Sequence, residues 1–221
     1  MRESYFFPDV QARGSYPLYA QRFLEKNNIC LDIAEGDIDA LRDTVDFVSF
    51  SYYSSGVITC DPRIKAHKTS ANFASSFSDA VDNPYLSASD WGWVIDPVGL
   101  RITMNELYDR YNKPIFIAEN GLGAKDIITD DGKVHDSYRI DYYRDHIEQM
   151  GLAIQDGVEC LGYTTWGPID LISVSTGQMS KRYGFIYVDR DDNGNGTNER
   201  FIKDSYLWYK KVIASNGADI A

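Results

Sequence analysis

Ile115-Phe116-Ile117-Ala118-Glu119-Asn120-Gly121 is a short apolar run that ends on a carboxylate and then turns. A few consecutive apolar residues bounded by turn signals mark a strand buried in a parallel sheet. Asn120-Gly121 is expected to end that strand, because both residues tolerate positive φ. Glu119 then stands at the carboxyl end of the strand, where a β/α barrel places its catalytic groups. A solvent-facing Glu at a strand end carries the same local pattern, so the rest of the chain has to decide.

Around this run the order is strand then helix, three times. Asp46-Phe47-Val48-Ser49-Phe50-Ser51-Tyr52-Tyr53 reads as a strand. Asp96-Pro97 opens a helix, with Asp as cap and Pro in the first turn. Leu100, Met104, Leu107 and Tyr111 follow it at helical spacing. A second helix starts near Asp136 and lines up Ile140, Tyr143, Ile147, Met150 and Ile154 on one face. The segment from Val158 to Thr165 is a third strand, and a last helix runs from about Lys203 to a cap at Gly217. This order implies parallel strands joined by right-handed crossovers.

Two connections are long, and both follow strands. Residues 54–95 hold Trp91 and Trp93. The segment before the last helix contains Tyr183 to Val188, which alternates like a strand, and a turn-rich stretch from Asp191 to Asn198. Together these predict a β-hairpin. Long loops after strands and short ones before them fit the active face of a barrel.

Composition narrows the classes. The 221 residues, 43% hydrophobic, can bury a core and read as a single domain. No apolar run is long enough to span a bilayer, and Met1-Arg2-Glu3-Ser4-Tyr5 lacks the apolar core of a secretory leader. Cys30, Cys60 and Cys160 are widely spaced, which suggests reduced thiols in a cytoplasm. A net charge of −11 with no basic stripe argues against nucleic acid. Sixteen Tyr and four Trp suit sugar rings, although they also fill ordinary cores.

Several motifs then fall in one order. They are Phe7-Pro8 with Gly14-Ser15-Tyr16-Pro17, Asp46-Phe47 through Tyr53, and Asp90-Trp91-Gly92-Trp93 with Asp96-Pro97 and Gly99-Leu100-Arg101. After them come Ile117-Ala118-Glu119-Asn120-Gly121, Trp166 with Asp170, Tyr183-Gly184-Phe185-Ile186-Tyr187-Val188-Asp189, and Ser205 with Trp208-Tyr209. In this order the chain resembles the C-terminal half of glycoside hydrolase family 1, the β-glucosidase family. The resemblance implies an α/β fold: the C-terminal part of a (β/α)8 TIM barrel, about strands six to eight, with a β-hairpin insertion after the last strand. It makes Glu119 the nucleophile of a retaining glycosidase, Tyr53 the phenol that hydrogen-bonds it, and Trp166 the platform under the sugar. Taken alone, Tyr53 and Trp166 read as core packing.

The segment Ser173-Val174-Ser175-Thr176-Gly177-Gln178-Met179-Ser180-Lys181-Arg182-Tyr183 points to a subclass. Ordinary family members carry a Glu-Trp pair where this chain has Ser173-Val174. Loss of that Glu removes a charge that would repel phosphate, and Ser175, Lys181 and Tyr183 offer two hydroxyls and an ammonium. The set resembles the phosphate grip of 6-phospho-β-glucosidases, so Ser173, Ser175, Lys181 and Tyr183 are expected to bind substrate. The implied ligand is a 6-phospho-β-glucoside and the implied setting is cytoplasmic. An unphosphorylated β-glucosidase would require the Glu that Ser173 replaces.

Other patterns lead nowhere. Asp189, Asp191, Asn193 and Gly194 begin like a calcium loop, but the twelfth position is Arg200 rather than Glu, so Asn193-Gly194 is expected to be a hairpin turn. His67, His135 and His146 lack metal-ligand spacing. No metal and no cofactor is expected. The family's acid/base lies in an Asn-Glu-Pro motif that this chain lacks; Asn105-Glu106-Leu107 falls in a helix and Asn198-Glu199-Arg200 in the hairpin. A barrel needs eight units, so the chain is expected to be part of a longer or split protein, partnered by a complementary N-terminal half-chain and nearly inactive alone. The competing expectation is a sugar-phosphate binding module or gene remnant without catalysis.

Overall fold

The computed structural model describes residues 2–42, 44–64 and 80–221; His67 lies outside them. The chain opens with three helices, α1 (Arg2–Arg13), α2 (Leu18–Lys26) and α3 (Asp37–Ala40). Then come β1 (Val48–Ser51) and a small antiparallel pair, β2 (Val57–Ile58) and β3 (Ala80–Val81). The frame continues with α4 (Pro97–Tyr111), β4 (Ile115–Glu119), α5 (Ser137–Gln155) and β5 (Cys160–Tyr163). The hairpin of β6 (Ile186–Val188) and β7 (Arg200–Ile202) precedes α6 (Asp204–Ala214).

Strands β1, β4 and β5 form one parallel sheet in the order β1-β4-β5. Ile115 and Ile117 turn one face of β4 toward α4, whose Leu100, Met104, Leu107 and Tyr111 are all buried against it. The other face is open: the Phe47 and Phe116 rings meet at 6.1 Å, and Phe47 and Leu161 remain exposed. Among the described residues no strand pairs with the outer edges of β1 and β5. The expected first and third strands are trimmed at both ends. Backbone bonds nevertheless continue past them, from Tyr52 N–H to Glu119 O at 2.8 Å and from Trp166 N–H to Asn120 O at 2.8 Å.

Local signals explain α4 well. The Asp96 carboxylate accepts from Gly99 N–H at 2.9 Å, and Pro97 occupies the first turn. The face assigned to α5 holds for Tyr143 and Ile147, but Ile154 is exposed and Ala153 is buried in the last turn instead. Helix α6 ends at Ala214, and Gly217, at φ +80°, closes the following turn on Val212 O at 2.9 Å.

Helix α1 contains Pro8 and joins the core through a buried carboxylate rather than an apolar stripe. Asp9 takes a two-pronged contact from Arg110 of α4 at 2.7 and 2.6 Å, with Tyr19 and Tyr111 hydroxyls at 2.6 and 3.0 Å.

The turn after β4 differs from the sequence expectation. Neither Asn120 nor Gly121 has positive φ. Asn120 is buried because its side chain is a hub: Nδ2 donates to Tyr52 O at 2.7 Å and Tyr142 Oη at 3.0 Å, and Oδ1 accepts from Tyr163 Oη at 2.6 Å. Gly121 sits in a close-packed spot, since a Cβ there would lie 3.3–3.4 Å from Tyr143 Oη, Trp166 Cβ and Tyr183 Cδ1.

Candidate active site

The carboxyl ends of the three parallel strands converge on Glu119. The β1–β4 register pairs Phe50 with Ile117 but Ser51 with Glu119, so it skips Ala118. Such a bulge re-aims a side chain. Here it puts Tyr53 against Glu119, with Tyr53 Oη donating to Glu119 Oε2 at 3.0 Å. Burial, and after it the Glu119 charge, pushes the Tyr53 phenol far above its ordinary range. The phenol therefore stays protonated and remains a donor.

Tyr53 also reaches the second group of candidates. Its ring lies edge-on to Trp93 at 5.4 Å and to Tyr183 at 6.5 Å. Between those rings stands Lys181, buried to 1% exposure, with Nζ 3.9 Å from the Trp93 centroid. Among the described residues Lys181 Nζ has no hydrogen-bond partner, and burial holds its ammonium down to about 8. Burial pushes the Tyr183 phenol up to about 12, with a hydrogen bond from the Ser173 side chain pulling the other way. Ser173 is buried and its Oγ lies 3.2 Å from that of Ser175, which is exposed. Trp166 lines the gap at Gly121 together with Tyr183. The structure thus gathers Glu119, Tyr53, Trp166, Ser173, Ser175, Lys181 and Tyr183 at one end of the sheet.

A buried charge network holds these loops, and the sequence reading missed it. Arg139 of α5 bonds Asp126 at 3.0 Å and Asp136 at 3.1 Å, and donates to the Arg182 carbonyl at 2.9 Å. Lys203 bonds Asp126 and, at 2.8 Å, Asp170, while Arg182 bonds Asp170 at 3.0 Å. Asp136 also accepts from Ser205 Oγ at 2.6 Å. Within this network three cations balance three carboxylates, so each buried charge in it has a partner of opposite sign. Ala124 and Arg182 exchange backbone bonds at 2.9 and 3.0 Å, which pins the Glu119 loop to the Lys181 loop. A sequence signal existed only in part, as Asp170 and Ser205 fell in recognisable motifs whereas Arg139 lay outside every motif and outside the apolar face assigned to α5.

The decoys resolve structurally. Asp191 accepts from the N–H groups of Asn193 and Asn195 at 2.9 and 2.7 Å, and Gly194 has φ +84°, so its carboxylate shapes the hairpin turn. Among the described residues no group of His, Cys, Asp and Glu is placed to hold a metal. Asn105 and Glu106 lie within α4, where Glu106 accepts from Tyr5 Oη at 3.0 Å. Cys30 and Cys60 are exposed and Cys160 is half-buried, all as free thiols.

The architecture is that of part of a (β/α)8 barrel, with β4, the strand that ends on Glu119, in the middle of the three-stranded sheet. The chain belongs to glycosyl hydrolase family 1, whose model matches residues 2–218. It is 57% identical over 219 residues to the 6-phospho-beta-glucosidase AscB of Escherichia coli, covering 99% of this chain and 45% of that protein. It is 56% identical over 220 residues to the aryl-phospho-beta-D-glucosidase BglH of Bacillus subtilis, covering 99% of this chain and 46% of the relative. A solved β-glucosidase of Thermotoga maritima in complex with glucoimidazole superposes with a TM-score of 0.76 at 32% identity, over 96% of this chain and 44% of that one. The chain therefore spans about half the length of the curated relatives it matches, corresponding to their C-terminal half.

Proposed function

We propose that this chain is the nucleophile-bearing and phosphate-binding part of a retaining 6-phospho-β-glucosidase, a single partial-barrel domain over residues 1–221. Glu119 attacks the anomeric carbon; as its C–O bond forms, the bond to the aglycone oxygen breaks, and that oxygen takes a proton from an acid group. Water, deprotonated by the same group, then attacks the glycosyl-enzyme and frees Glu119. Tyr53 aims the carboxylate, Trp166 supports the sugar ring, and Ser173, Ser175, Lys181 and Tyr183 take the phosphate.

The observation that carries this reading is the double role of Tyr53. Its hydroxyl bonds Glu119 and its ring lies edge-on to Trp93 and Tyr183, two of the three aromatic rings around Lys181. Nucleophile and ammonium are thereby fixed on one frame, as a sugar with a reacting carbon at one end and a phosphate at the other requires. The names carried by the relatives, 6-phospho-beta-glucosidase and aryl-phospho-beta-D-glucosidase, support the same substrate class. A cytoplasmic setting follows from such a substrate. No helix among the described residues is long and apolar enough to cross a membrane.

The acid group comes from a complementary N-terminal half-barrel, since no Asn-Glu-Pro segment occurs in the chain. Without it, hydrolysis falls by about 10²–10⁴-fold, the usual contribution of general acid catalysis. The test is cleavage of a chromogenic 6-phospho-β-glucoside by the chain, with and without a co-expressed N-terminal half, and with Glu119→Gln as control. Activity only with the complement, lost in the variant, is the expected result. A folded mixture that binds glucose 6-phosphate but never turns over would favour a non-catalytic sugar-phosphate module.

A further inference from the structure

Lys181 differs from the other buried cations. Arg139, Arg182 and Lys203 each meet a carboxylate, whereas Lys181 Nζ has no acceptor among the described residues, and burial rather than any charged neighbour sets its proton affinity. What faces the ammonium is aromatic: Trp93 at 3.9 Å, Trp91 at 5.4 Å and Tyr183 at 5.7 Å from the ring centroids.

The two tryptophans form a fixed shelf. Trp91 Nε1 donates to Gln178 Oε1 at 3.0 Å, tying the 88–95 loop to the loop that carries Ser173 and Ser175. Ser89 Oγ accepts from Trp93 N–H at 3.2 Å, and Ala88 pairs with Val94. On the far side, Gly123 gives the lysine stem its room: a Cβ there would lie 2.7 Å from Lys181 Cε and 2.9 Å from Cγ. Among the described residues, the charged and titratable groups around the shelf include Tyr53, Tyr183, Asp90, which lines the same cleft as Gly123 and Lys125, and Lys125 itself, whose Nζ lies 5.7 Å from the Trp91 centroid.

We propose that Trp93, backed by Trp91, is a specificity-determining positioning residue whose π-face stands in for the carboxylate Lys181 lacks. A carboxylate would neutralise the ammonium and occupy its N–H donors before any ligand arrived. A ring face stabilises the cation by about 0.5–2 kcal/mol while taking none of those donors. The charge therefore stays available to a phosphoryl group, and a neutral sugar gains nothing from it. This rests on the reading of Lys181 as a phosphate ligand and adds the residue that keeps it ready.

The experiment compares wild-type chain, Trp93→Phe, Trp93→Leu and Lys181→Met, each checked for fold by circular dichroism. Glucose 6-phosphate and glucose are titrated by calorimetry, and the Lys181 Cε resonance, assigned by its absence in Lys181→Met, is followed against pH without ligand. Phe and Leu dry the site similarly, so their difference reads the ring. Leu relative to Phe is expected to weaken glucose 6-phosphate by about 2- to 30-fold, to leave glucose unchanged, and to lower the Lys181 midpoint. Trp91→Leu, farther from the ammonium, should move both readouts less in the same direction, and it serves if Trp93→Leu does not fold. Equal affinities and equal midpoints for Phe and Leu, or a midpoint raised by Leu, would overturn the proposal. Failure of the wild-type chain to bind glucose 6-phosphate, or binding retained in Lys181→Met, would instead sink the phosphate-site reading. The ligand-free midpoints separate these two failures.

Discussion

Lys181 should make the affinity for a phosphorylated sugar fall in a pH range where an ordinary lysine would have no effect. Burial lowers its ammonium from 10.5 to about 8, and a phosphate monoester loses its second proton near pH 6, about where its dianion takes over. The dianion selects the charged lysine. Below about pH 8 the free protein already carries that charge, and binding needs no proton. Above it, the neutral lysine must take up a proton to bind, at a cost of about 1.4 kcal/mol per pH unit. Affinity for glucose 6-phosphate should therefore rise to about pH 6, stay level to about pH 8, and drop about tenfold per unit beyond. By about pH 10 the loss is about a hundredfold, whereas a lysine at its ordinary value would cost less than about twofold there. Tyr183, pushed up to about 12, keeps its proton throughout this range. Calorimetry in two buffers of different ionisation enthalpy measures both the affinity and the protons taken up. Uptake near one proton per ligand at about pH 9, and near zero at about pH 7, is expected, with the alkaline limb missing in Lys181→Met. Constant affinity to about pH 10, or no uptake at about pH 9, would refute the reasoning.

Three further outcomes follow from the same geometry. Tyr53→Phe removes the donor 3.0 Å from Glu119; a hydrogen bond to a charged group contributes about 1.5–3 kcal/mol, so kcat with the complementary half should fall about 10- to 100-fold with KM little changed, and an unaltered kcat would count against it. Burial raises the Asp9 carboxyl, but Arg110, Tyr19 and Tyr111 outweigh this and bring it from 3.8 to about 2. Its stabilisation is present above pH 3.8 and is lost as pH falls toward about 2. Arg110 is partly exposed and can regain water, so Asp9→Asn should cost about 1.5–3 kcal/mol near neutral pH in urea unfolding and blunt that acid loss; an unchanged midpoint would show that α1 is not anchored there. Gly123→Ala pushes a methyl group against the buried Lys181 stem, so glucose 6-phosphate binding should weaken and stability should drop by about 1–3 kcal/mol of overpacking, as followed by parallel calorimetry and urea denaturation; unchanged affinity would refute the contact.

The frame was legible where local physics is strong. The Asp96-Pro97 start, the buried positions of α4, the β4 run and the hairpin all follow from caps, periodicity and turn residues acting over a few positions. The opening helices were not legible: α1 carries Pro8, and its anchor is Asp9, a residue that local patterning assigns to the surface. Ile154 failed for a related reason, since the last turn of α5 buries Ala153 instead. The site residues came from motif order, and nothing in their types alone distinguishes Tyr53 or Trp166 from core aromatics. Asn120 was read as a turn residue because Asn tolerates unusual φ; its actual task, bonding Tyr52, Tyr142 and Tyr163, depends on three partners distant in sequence.

By itself the sequence determined a parallel β/α frame and a carboxylate at the end of its buried strand; the expectation that Ser173, Ser175, Lys181 and Tyr183 take a phosphate came from the family resemblance. The frame and the carboxylate are local properties, because burial patterns and side-chain chemistry are written residue by residue. Only the tertiary structure decided that Lys181 stands on tryptophan rather than on a carboxylate among the described residues, that Tyr53 joins Glu119 to that shelf, and that Arg139, Arg182 and Lys203 are each paired with a carboxylate. Charge pairing is a matter of distance in space, and segments as far apart as Asp9 and Arg110, or Asp126 and Lys203, meet only once the helices have packed.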